Sequence, residues 1–134
     1  MSETHRVIAL VEDMFFASRI RGAAEQSGRL MVRVRSQDEL ERELAEPADL
    51  ILIDLNSSRP DPLAAIAFLK SRDETAAIPM VGFLSHVQID LMRQAESAGC
   101  DYVLPRSKFT QLLGQIISGD LSSIASLKST RMTQ

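Results

Sequence analysis

The residues with the clearest chemical potential are acidic and far apart in the chain: the pair Glu12-Asp13 and the single Asp54, followed by the hydroxyl Ser85 and the dipeptide Pro105-Arg106. Each comes directly after a short apolar run. Val7-Ile8-Ala9-Leu10-Val11 precedes the acidic pair, Leu50-Ile51-Leu52-Ile53 precedes Asp54, Met80-Val81-Gly82-Phe83-Leu84 precedes Ser85-His86, and Tyr102-Val103-Leu104 precedes Pro105. If these runs are strands of one open parallel sheet, their carboxyl ends make a single rim, which is where such sheets bind ligands. Three carboxylates on one rim repel and raise one another's pKa, so the cluster calls for a hard cation or a cationic side chain, with magnesium the natural occupant. Taken singly, the residues have plainer roles: Glu12-Asp13 can cap a following helix, and Asp54 can open a turn through Asn56 and Ser57. Their joint placement favours a site, because an aspartate closing so apolar a run risks the burial of an unpaired charge.

The elements that must position these groups are legible from periodicity. The first three runs are apolar without alternation, as strands covered on both faces are. A fifth run, Met31-Val32-Arg33-Val34-Arg35, alternates and puts both arginines on one face, which suits a sheet edge. Helical spacing lies between the runs: Phe16, Ile20, Ala23 and Ser27 before Gly28, then Leu40 and Leu44 in a charged segment closed by Pro47. Leu63, Ile66, Phe68 and Leu69 follow Asp61-Pro62, an N-cap with proline at the first helical position. Leu91, Met92, Ala95 and Ala98 precede Gly99, and Phe109, Leu112, Leu113, Ile116 and Ile117 share a face in a helix capped by Ser107. The expectation is an α/β fold, a doubly wound (βα)5 sandwich around a five-stranded parallel sheet. Residues 1–119 form the domain, and the Ser/Thr-rich stretch 120–134 is expected to be a partly disordered tail, with Leu121, Ile124 and Leu127 as its only helical hint.

Composition narrows the function. A chain of 134 residues, 45% hydrophobic, supports one core. Its 15 basic and 18 acidic residues give a net charge of −3, the wrong balance for a nucleic-acid partner. The single cysteine, Cys100, excludes a disulfide framework and reads as a small buried hydrophobe; with no zinc-like Cys/His spacing, the chain is expected in the cytoplasm. No apolar run approaches the roughly 20 residues that span a bilayer, so no membrane role is expected. The first strand runs into Glu-Asp-Met rather than a Gly-x-Gly phosphate loop. Phe15 and Phe16 are expected in the core.

From about Arg6 to Gly119 the order and spacing of Glu12-Asp13, Asp54, Ser85 and Tyr102 resemble the receiver domains of two-component response regulators. The resemblance implies a flavodoxin-like sandwich with strand order 2-1-3-4-5 and Asp54 as phosphoacceptor, with Mg2+ held by Asp13 directly, by Glu12 through water, by Asp54 and by the backbone carbonyl of Asn56. It also implies Ser85 and Tyr102 as switch residues, a signalling rather than an enzymatic role, and a sensor kinase or downstream signalling protein as partner, or a second copy in a homodimer. The contact face would include Gln88, Asp90, Arg93, Arg106 and Gln111.

Three departures surround the site. Pro105 stands where the family keeps its lysine, with Arg106 at the following proline position. Arg106 or Lys108 could reach across, but a guanidinium is no simple substitute for a compact ammonium, and both are expected as solvated surface charges. His86 occupies the place of a small residue beside the acceptor, and Ser57-Ser58 and Pro62 alter the loop after Asp54. The expected function is therefore a stand-alone, atypical receiver in phosphorelay signalling, acting by protein–protein contact with Asp phosphorylation impaired or dispensable. The alternative is a working Mg-dependent phosphoacceptor at Asp54. A small-molecule-binding flavodoxin-like domain is a third reading, which a bound chromophore or nucleotide would reveal by absorbance.

Overall fold

The computed structural model describes residues 5–85, 88–122 and 124. Five parallel strands, β1 (Arg6–Leu10), β2 (Leu30–Val34), β3 (Leu50–Asp54), β4 (Met80–Leu84) and β5 (Tyr102–Pro105), form one sheet in the order β2-β1-β3-β4-β5. Helices α1 (Met14–Gln26), α2 (Gln37–Glu43), α3 (Pro62–Lys70), α4 (Asp73–Ala76), α5 (Ile89–Ala98), α6 (Arg106–Gln111) and α7 (Leu113–Ser118) lie in the connections. This is the expected doubly wound sandwich, and its cause is visible in β1, β3 and β4, where every residue is buried. Val7, Ala9, Leu50 and Leu52 face a core shared with Phe16, Ile20, Phe109 and Ile116. Ile8, Leu10, Ile51 and Ile53 face the opposite core with Leu40, Ile66, Leu69 and Ala95. Alternate side chains of one strand thus serve two layers, which is why those runs are apolar throughout. β2 is an edge strand, as its alternation required.

Local signals place the helix ends. Asp13 caps α1, its carboxylate accepting from the amides of Phe15 and Phe16, and Asp61 does the same for α3 ahead of Pro62. Gly99 ends α5 and Gly119 ends α7, both in the left-handed region where a Cβ would be strained. At the opposite end of the sheet Arg6, 2% exposed, donates to the carbonyls of Glu43, Glu46 and Pro47 and pairs with Glu43 at 2.7 Å, fixing the α2–β3 connection to β1.

Three details differ from the sequence reading. The last helix begins at Arg106, so Ser107 lies inside it and Pro105 takes the cap position, and the helix breaks at Leu112 into α6 and α7. A four-residue helix, α4, precedes β4; it is too short to show a period. Phe15 is 88% exposed, because the capping turn at Asp13 directs Phe16 rather than Phe15 into the core. Leu121 packs against the core and Ile124 is buried in it; the rest of the expected tail, including Leu127, lies outside the described residues.

Candidate functional site

Asp54 closes β3 in register with Phe83 of β4. It is only 8% exposed. Its Oδ1 accepts from the Asn56 amide at 3.0 Å, and its Oδ2 lies 3.8 Å from Nη2 of Arg106. Burial pushes the carboxyl pKa up; the Asn56 amide and the Arg106 charge oppose the rise, while the Glu12 and Asp13 charges add to it. Asp13 sits on the same rim. Its Oδ1 is held by the first turn of α1, at 2.9 Å from the Phe15 amide and 3.2 Å from that of Phe16, and its Oδ2 lies 3.9 Å from the same Arg106 Nη2. The capping role and the site role of Asp13 are therefore both real, one for each oxygen.

Arg106 is the residue the sequence reading misplaced. It is not a solvated charge on the outer face: as the first residue of α6 it turns inward, and one guanidinium nitrogen bridges both aspartates. The guanidinium lies 4.3 Å above the Phe16 ring centroid and 5.8 Å from that of Phe83, and its Nε is buried without a hydrogen-bond partner among the described residues. Phe16, Phe83 and Phe109 pack on one another, with centroids 4.4 to 5.9 Å apart, and make a rigid platform beneath the cation. Lys108 is half-buried and does not join the site. The available signal was Phe16, three residues after Asp13 and so on the turn that Asp13 caps; spacing alone does not say that an arginine 90 positions later crosses it.

Glu12 accepts its hydrogen bonds from the loop after β3. Its Oε1 accepts from Ser57 Oγ at 3.1 Å, the Ser58 amide at 2.9 Å and Ser58 Oγ at 3.2 Å, and these bonds hold its carboxyl below the usual range, the Ser58 amide most of all. Arg33 steadies the same turn by donating to the carbonyls of Val11 and Glu12. Asn56 contributes its side chain: Oδ1 accepts from the Ser85 amide at 2.6 Å, and Nδ2 donates to Gln88 Oε1 at 2.9 Å. It thereby ties the loop after β3 to the connection after β4, a bridge that sequence reasoning did not anticipate. Ser85 is exposed on that connection, and His86 lies outside the described residues. Tyr102 is half-buried and packs against the α1-side core.

Of the magnesium donors implied by the sequence, Glu12, Asp13, Asp54 and Asn56, the structure brings Asp13 and Asp54 together around Arg106, while Glu12 and the Asn56 side chain have partners in the loops. Among the described residues no three His, Cys, Asp or Glu side chains group closely enough to hold a metal ion. Glu12 is committed to the serine loop, and the positive charge between Asp13 and Asp54 is the guanidinium. This arrangement does not fit a divalent cation at that point.

The architecture is that of response-regulator receiver domains. The phosphorylated cyanobacterial phytochrome response regulator RcpA superposes with a TM-score of 0.75 at 22% identity, covering 93% of this chain and 96% of that one. A response regulator from Hahella chejuensis gives 0.77 at 18% identity over 89% and 96%. The Mn(2+)-bound form of response regulator Rcp1 gives 0.67 at 19% over 88% and 92%. No family model and no curated protein matches the sequence. No helix among the described residues is long and apolar enough to cross a membrane.

Proposed function

We propose that the domain is an atypical receiver module of two-component signalling, acting in the cytoplasm through contacts with a sensor kinase, a downstream protein or a second copy, with phosphorylation of Asp54 impaired or dispensable. The observation that carries this reading is the Arg106 bridge. A carboxylate nucleophile must meet an anionic phosphoryl group with one oxygen free and the charge between them screened. Here Asn56 claims Oδ1, the guanidinium faces Oδ2, and burial narrows the approach. One guanidinium offsets part of the charge of the two aspartates from within the chain. The contact face then comprises the exposed Asp90, Arg93 and Gln111 with the half-buried Gln88, while the half-buried Arg106 turns its guanidinium to the aspartates.

A second reading rests on the same residue. A guanidinium 3.8 Å from the acceptor oxygen can offset phosphoryl charge in place of the missing lysine, making Asp54 a working acceptor. Intact-mass analysis after incubation with acetyl phosphate and Mg2+ separates the two. The first reading expects no phosphoryl-sized gain on the native chain. An alkali-labile gain that is absent from Asp54→Asn would establish the second.

A further inference from the structure

Two adjoining cavities of about 480 and 490 Å3 share Arg35 and Arg59 in their walls, and Glu12 lines the first of them. One is bounded by the end of β2 and the start of α1, the other by the start of α2 and the loop after β3. Each of their three carboxylates accepts hydrogen bonds within the chain. Glu12 is clamped by the serines, Glu39 accepts from the Arg35 amide at 2.7 Å, and Asp61 caps α3 through the amides of Leu63 and Ala64. Arg33 is likewise committed to two carbonyls. The guanidiniums of Arg35 and Arg59 are different: both residues are exposed, and neither guanidinium makes a hydrogen bond or an ion pair among the described residues. Two guanidiniums without a contact partner among the described residues thus face one groove, Arg59 with only a longer-range attraction to Glu12.

Paired guanidinium forks suit the oxygens of a phosphate, which they bind bidentately. Ser36 and Ser58 add hydroxyls to the wall, and Pro60, Ala64 and the 68% exposed Met14 give it an apolar side. Each cavity lies within the size range of small-molecule sites, roughly 300–1,000 Å3. We propose that this groove binds an organic phosphate of nucleotide size, with its phosphates between Arg35 and Arg59 and its body along Pro60 and Ala64.

The consequence for the domain rests on the phosphorylation-independent reading above. Ser58 lines the groove and also donates to Glu12, and the Arg59 charge helps hold the Glu12 carboxyl down. A phosphate drawing on Ser58 and Arg59 loosens the Glu12 clamp and reaches the site rim by that route, supplying an input that does not pass through Asp54.

Isothermal titration with adenosine diphosphate, beside inorganic pyrophosphate as the anion alone, tests the proposal on the native chain, Arg35→Ala/Arg59→Ala and Asp54→Asn. Both arginines are exposed, and circular dichroism confirms that the double variant folds. The expected result is saturable sub-millimolar binding of the nucleotide, weakened about tenfold or more by the double substitution and by added salt, with pyrophosphate weaker. Binding retained by Asp54→Asn stands whether or not Asp54 accepts a phosphoryl group, so the two proposals fail separately. No saturation into the millimolar range, or equal binding by the double variant, overturns the site. Pyrophosphate binding as tightly as the nucleotide overturns the role of the apolar wall. A Ser58 amide resonance that stays still at saturation overturns the coupling to Glu12.

Discussion

Asp54 and Arg106 define the site at the scale of single residues. An aspartate at 8% exposure, with its carboxyl pushed up by burial, is costly in its charged form. The sign follows from linkage. The folded-state pKa exceeds the ordinary 3.8, so the charged carboxylate costs stability above the folded value, and that cost is relieved as the pH falls through it. Asp54→Asn is therefore expected to raise the melting temperature at pH 7 by about 3 °C, with the gain shrinking as acid protonates the native carboxyl; thermal melts between pH 7 and pH 4 measure it. A variant that melts lower at neutral pH would show that the guanidinium pairing outweighs burial. What was legible here was residue type: acid at the ends of strands one and three, a hydroxyl after strand four, an aspartate ready to cap. Where the side chains go was not. The Glu12 carboxylate turns toward two serine hydroxyls and an amide that lie more than forty positions away, and Arg106 lies over a ring that periodicity assigns only to the core.

At the scale of elements, loops at the carboxyl rim are joined in pairs: β1–α1 to β3–α3 through Glu12 and the serines, and β3–α3 to β4–α5 through Asn56. The strands that carry these loops were readable because burial on both faces removes alternation, and the caps at Asp13 and Asp61 were readable because short polar side chains satisfy helix amides. The break at Leu112 was not, since Phe109, Leu113, Ile116 and Ile117 remain buried on one side across it. Gly99 gives the sharpest element-level test. Its φ is +118°, and a Cβ there would come within 2.5 Å of Lys70 Cγ. Lys70 in turn donates to the Ala76 carbonyl and pairs with Asp101, which accepts from the Met80 amide at the start of β4. Gly99→Ala should cost about 2 kcal/mol through the strained turn and the displaced lysine, measured by urea unfolding. A loss no larger than that of an ordinary surface substitution would contradict this account of the α5–β5 turn.

Across the whole molecule, a sheet of order β2-β1-β3-β4-β5 brings every strand's carboxyl end to one rim, and the chain supplies that rim with its own cation. The parallel sheet and its two helical layers followed from the β-α alternation and the strand order from the family resemblance; the electrostatic arrangement depended on side-chain reach and emerged only in three dimensions. The central claim is that Arg106 occupies the place a divalent ion would need between Asp13 and Asp54. Titrating Mn2+ against the native chain and Arg106→Ala, and reading the free ion by electron paramagnetic resonance, tests it most directly. The native chain should leave the free-ion signal unchanged, and Arg106→Ala should deplete it by one equivalent. One equivalent bound by the native chain, and lost on Asp13→Asn or Asp54→Asn, would contradict the claim.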